Sequence, residues 1–186
     1  MSEPTTDYAI IKLPSVRLSF PHLFKPHAVA EGQEPKFGAT FILDNQIHGR
    51  LLDQIEALIE RVSLDFFKKK VRLTKTCLRD GNDYPDKDGY GDGVMFIPAN
   101  VATRPVVVNR DKTPIMEEDG IIYAGCYVNA SIRLYAWEHK VGGRGVSAGL
   151  RAVQFVKDGE SFGAGKVDAD KEFDPLPDED GDPAFN

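Results

Sequence analysis

The twelve residues from Cys126 to Trp137 alternate apolar and polar side chains without a break. A period of two held over that length commits the segment to a β-strand with one inward and one outward face. Cys126, Val128, Ala130, Ile132, Leu134 and Ala136 make the apolar face. Opposite them stand Tyr127, Asn129, Ser131, Arg133, Tyr135 and Trp137, a row of rings, amide, hydroxyl and guanidinium that includes the chain's one tryptophan.

Such a strand needs a sheet, and shorter runs of the same period supply it. The first lies near residues 9–20, with Val16, Leu18 and Phe20 expected inward and Ser15, Arg17 and Ser19 outward; Pro14 places its start at an edge or bulge. A second spans about 36–43, with Phe37, Ala39, Phe41 and Leu43 on one face and Lys36, Thr40 and Ile42 on the other. Further strands are expected at 94–98, 104–109, 121–139 and 146–157, the last two joined through Gly142-Gly143-Arg144-Gly145. Between Gln46 and Lys70 the period becomes helical: Ile47, Leu51, Ile55, Leu58, Val62 and Phe66 recur every three or four residues, and Asp44 or Asn45 can cap the start. The basic run after it, Lys68-Lys69-Lys70, Arg72, Lys75 and Arg79, either complements the helix dipole or contacts phosphate. Residues 79–93, with four glycines and a proline, read as a long mobile surface loop. Sheet with a single embedded helix predicts a mainly β fold, a closed or partly open barrel.

Charge separates the chain into two parts. Residues 168–186 hold eight acids and one base, whereas residues 1–167 hold 22 bases and 21 acids. The overall charge of −6 therefore belongs to an appendage, and the folded part is free to meet a polyanion. We expect a domain over residues 1–165 and a disordered acidic tail over 166–186, in which Asp178, Glu179, Asp180, Asp182 and the apolar anchor Phe185 serve a protein contact. No apolar run approaches the ~18 residues of a membrane span, and the N-terminus lacks the pattern of a signal peptide. Cys77 and Cys126 form no metal-binding or disulfide pattern, which fits a reducing cytoplasm.

Catalytic signatures are missing. The four histidines are scattered, and an EF-hand beginning at Asp86 would place Tyr90 and Ile97 where oxygen ligands belong. Gly163-Ala164-Gly165-Lys166 lacks both the first glycine and the terminal Ser or Thr of a phosphate-binding loop. Neither a metal nor another cofactor is expected, and no enzyme. A binding surface is the better reading of the outward strand face, because rings accept stacked bases and arginine adds phosphate pairing and cation–π contact. Tyr127, Tyr135 and Trp137 are the expected stacking residues, with Arg133, Arg151 and Lys36 on phosphates and Lys12, Arg17, Lys140 and Arg144 as further contacts. The alternatives are an adaptor whose aromatic face docks a protein, or a metal-dependent nuclease.

Three segments carry a family resemblance: Val16-Arg17-Leu18-Ser19-Phe20-Pro21-His22-Leu23-Phe24, Tyr123-Ala124-Gly125-Cys126-Tyr127-Val128-Asn129-Ala130, and Gly145-Val146-Ser147-Ala148-Gly149-Leu150-Arg151-Ala152-Val153-Gln154. In these the chain resembles the bacteriophage single-stranded DNA-binding proteins with an OB-fold, over about residues 9–165. The resemblance implies a five-stranded barrel, whereas six strand segments are counted above. It also implies a replication, recombination or repair accessory, monomeric or homodimeric, working in the cytoplasm of an infected bacterium. Its tail would compete with DNA and recruit replication or recombination proteins.

Overall fold

The structure is a computed structural model that describes residues 9–163 and Asp174; the tail residues named above lie outside them. In chain order the elements are β1 (Ile10–His27), β2 (Lys36–Asp44), α1 (Gly49–Phe67), β3 (Lys75–Thr76), β4 (Arg79–Asp80), β5 (Val94–Val101), β6 (Val106–Val108), β7 (Tyr127–His139) and β8 (Gly143–Lys157). Five of these strands close a barrel in the order β1, β2, β5, β8, β7 and back to β1. Every contact around the ring is antiparallel except the short parallel one between β5 and β8, an arrangement consistent with an OB-fold. The sixth segment expected from sequence is β6, three residues running parallel to β8 outside the ring.

The apolar face of β7 is buried as its period requires, with Val128, Ile132 and Leu134 at most 1 % exposed. They meet Leu13, Val16, Leu18, Phe41, Leu43, Ile97 and Val146 in one core. β1 reaches two neighbours by bending: residues 10–17 pair with β7 and residues 17–27 with β2. Register shifts fall between Leu13 and Val16 and between Ser19 and His22, where Ser15 (φ 51°) and Phe20 (φ 45°) adopt left-handed backbone. The second shift corrects the expected alternation, because Ser19 turns inward at 3 % exposure and Phe20 turns outward at 49 %.

Three further expectations change. Ile42, placed with Lys36 and Thr40 on the face opposite Phe41 and Leu43, is buried together with its cross-strand partner Phe96, since Tyr84 and Tyr90 from the 79–93 segment lie 5.6 and 5.1 Å from the Phe96 ring. That segment is pinned rather than loose: Gly91 N–H donates to the Gly81 carbonyl, and the Tyr90 hydroxyl donates to Ser19 Oγ at 3.1 Å. The helix is shorter than expected. Asp44 Oδ1 accepts from the N–H groups of Gln46 and Ile47 in the turn before it, which leaves Ile47 outside the helix and exposed. Ile55, Ile59 and Val62 enter the core, Phe66 stays outside it, and Lys68 ends the helix with φ 59°. His48 ties the helix start to β1, accepting from Asp44 N–H at Nδ1 and therefore donating from Nε2 to the Pro14 carbonyl. Among the described residues no helix is long and apolar enough to cross a membrane.

After β8 the chain crosses back over the barrel as a strap, Asp158 to Gly163. Arg17 clasps it, donating from Nε to the Gly125 carbonyl and from Nη2 to the Glu160 carbonyl (2.6 Å), with its guanidinium 4.4 Å from the Phe162 ring centre. Gly125 (φ 108°) is required there, because a Cβ would collide with the Glu160 carbonyl. The strap is also held by Phe162 N–H to the Ala124 carbonyl and Gly163 N–H to Asp88 Oδ2.

Candidate nucleic-acid interface

Across β2 and β5 the barrel carries an open cleft of about 650 Å³. The strand order dictates its walls: β1 and its bulge border one side of the β2–β5 floor, and the β7–β8 hairpin borders the other. Phe20 therefore stands on the first wall, and Tyr135 and Trp137 on the second. Thr40, Pro98 and Asn100 offer a mixed polar and apolar floor, with Ser147 on the β8 wall beside it.

The two rings of the β7 wall are held differently. Tyr135 is 49 % exposed. Trp137 is half-buried, with Nε1 donating to Ser147 Oγ at 2.8 Å and its ring stacked on His139 at 5.0 Å. Gly145 makes that pose possible, since any Cβ would run into the indole. Phe20 carries the Lys87 ammonium 4.9 Å from its ring centre.

Electrostatically the cleft has one sign. Lys36, Lys75, Arg79 and Lys87 line it, and among the described residues no carboxylate does. His22 and His27 also line it and stack face to face, 4.2 Å apart with 9° between the rings. Burial first, and the neighbouring His27 second, hold the His22 pKa below the ordinary imidazole value. Cys77 reaches the cleft as well, but burial pushes its thiol up to about 12, so it remains protonated and unreactive. Among the described residues no group of three or more His, Cys, Asp or Glu side chains could hold a metal.

Of the expected site residues, the structure brings Tyr135, Trp137 and Lys36 into the cleft. Tyr127 lies at the far end of β7, flanked by Arg17 and Lys157. Arg17 itself is committed to the strap. Arg144 pairs with Glu138 at 2.8 Å and covers the Phe67 ring, while Lys140 sits in the hairpin turn beside it. Arg133 and Arg151 are exposed on the outer face of β7 and β8, and Lys12 lines a separate depression on that side. The sequence reading missed Phe20, His22, His27, Lys87 and Asn100 as cleft residues. Pro21 in mid-strand is the available signal for the first two, since proline inside a strand marks a bulge and a bulge re-aims side chains.

The family described as the single-stranded DNA-binding protein of Enterobacter phage Enc34 matches residues 9–184. A protein designated p50 of Acyrthosiphon pisum secondary endosymbiont phage 1 is 38 % identical over 176 residues, covering 89 % of this chain and 93 % of its own. The bacteriophage Enc34 single-stranded DNA-binding protein, solved in complex with single-stranded DNA, superposes with a TM-score of 0.75 at 34 % identity, over 83 % of this chain and 90 % of that one. The single-stranded DNA-binding protein gp2.5 of bacteriophage T7 shares the fold at 16 % identity, with a TM-score of 0.58 over 92 % of this chain and 96 % of its own. The chain belongs to the Enc34-type family of phage single-stranded DNA-binding proteins.

Proposed function

We propose that this protein binds single-stranded DNA without sequence preference in the cleft over β2 and β5, and that it does so as a non-enzymatic accessory of phage DNA replication, recombination or repair in the host cytoplasm. The observation that carries the reading is a cleft walled by exposed rings and lined by four cations and, among the described residues, no carboxylate. Bases stack on Tyr135, Trp137 and Phe20 at about 1–3 kcal/mol each, while Lys36, Lys75, Arg79 and Lys87 neutralise phosphates. Stacking reads no base identity, because every base has a π-face.

The acidic tail completes the proposal. Nineteen residues, 168–186, can span roughly 60 Å when extended, far enough to return to the cleft as a tethered polyanion. DNA then displaces the tail and frees Asp178, Glu179, Asp180, Asp182 and Phe185 for a replication or recombination partner. A fluorescence titration of Trp137 with a thymidine oligomer, at low and moderate salt, tests both halves with the full chain and one ending at Val167. Quenching in both forms, tighter in the shorter one, is the expected result. No quenching in either form overturns DNA stacking at the cleft; equal affinity in low salt overturns competition by the tail alone.

A further inference from the structure

The cleft accounts for only part of the basic surface. Strands β1, β6, β7 and β8 together carry seven Lys or Arg residues and a single acid, Glu138, which Arg144 already neutralises. Three of those cations form a line that begins where the cleft ends. Tyr135 is followed, two residues back on the same outward face of β7, by Arg133. Arg133 pairs with Gly149, whose partner on the other side is Asn100 of the cleft floor, so the row leads out of the cleft. Next comes Ser131 with Arg151, which donates to its Oγ at 3.4 Å from the bulge in β8. Lys12 is the cross-strand partner of Ser131 on β1, and it shares a depression of about 430 Å³ with Lys112. The acid beside Lys112 is Asp111, whose carboxylate accepts from the Thr113 N–H and hydroxyl.

We infer that a bound single strand continues beyond the cleft, its phosphates passing over Arg133 and Arg151 toward Lys12 and Lys112. This rests on the cleft reading above and assigns the strand's exit path. Outward side chains on a β-strand recur every ~6.6 Å, a step an extended nucleotide backbone can follow. No ring stands on this stretch, so it contributes charge rather than stacking. The site then has two sections, a stacking cleft used by every oligomer and an electrostatic track reached only by longer ones.

The test uses the full chain, two thymidine oligomers of about 5 and about 15 nucleotides (OB-folds occupy roughly 4–16), and the double variant Arg133→Gln/Arg151→Gln. For the longer oligomer the variant is expected to bind severalfold more weakly in low salt, with the slope of log affinity against log salt shallower by about 1.4, or ~0.7 per lost contact. The shorter oligomer should bind both proteins within a factor of two, and Arg133→Lys/Arg151→Lys should retain the wild-type slope. Equal losses at both lengths would place the arginines in the cleft, and no loss at either would leave the face to the acidic tail or to protein; each result overturns the track. Failure of the wild-type chain to bind either oligomer would instead remove the cleft reading itself.

Discussion

Tyr135 and Trp137 occupy consecutive outward positions on β7, yet one is displayed and the other is fixed. The hydrogen bond to Ser147, the His139 stack and the floor at Gly145 set the indole plane before any ligand arrives, which lowers the ordering cost of stacking on it. Tyr135 offers an exposed ring with its hydroxyl at the tip. Tyr135→Ala is accordingly expected to weaken single-strand affinity by about 5- to 150-fold, the equivalent of about 1–3 kcal/mol, with little change in melting temperature, as fluorescence anisotropy and calorimetry would report. His22 gives a different readout. Its folded pKa lies below the unfolded value near 6.5, so the unfolded chain takes up the proton first, and the stability present above that pH is lost as pH falls through it toward the folded pKa. Thermal melts between pH 7.5 and 5.5 should show this loss, and His22→Gln should flatten it.

Among the elements, β1 shows where sequence patterning succeeds and where it stops. The unbroken alternation of β7 and the helical period of α1 are both legible, because each reports a face buried over its whole length. Phe20 was not legible as a cleft residue: a bulge inserts an irregular step, and strict alternation assigns every residue beyond it to the wrong face. Ile42 misled for another reason, since period-two reasoning assumes solvent on the outer face and the tyrosines at 84 and 90 replace it. Lys75 and Arg79 were legible as basic but not as cleft residues, because only the fold carries them from the end of α1 to the β8 side of the floor. The strap that Arg17 holds was not foreseen at all, as a backbone carbonyl leaves no mark in sequence. Arg17→Gln is expected to cost about 1–3 kcal/mol of stability through the lost charge-assisted hydrogen bonds. Denaturant melts would measure that cost, and cleft affinity of the folded fraction should remain close to wild type.

Over the whole molecule, ring closure is uneven. β8 pairs with β7 along the full length of that strand, but its other edge is covered in relay by β3 at Gly145–Val146, β5 at Ala148–Gly149 and β6 at Ala152–Gln154. The link that closes the barrel is two residue pairs, Ala99 with Ala148 and Asn100 with Gly149. Amide hydrogens along this seam should exchange faster than those between β1 and β2, and a saturating thymidine oligomer should slow them selectively, as exchange mass spectrometry can resolve. Asn100 and Ala148 face the cleft from opposite sides of that seam. A strand lying across them would act as a hoop around staves, so that the barrel's resistance to opening, and with it the protein's lifetime against proteolysis, would rise and fall with the supply of unpaired DNA.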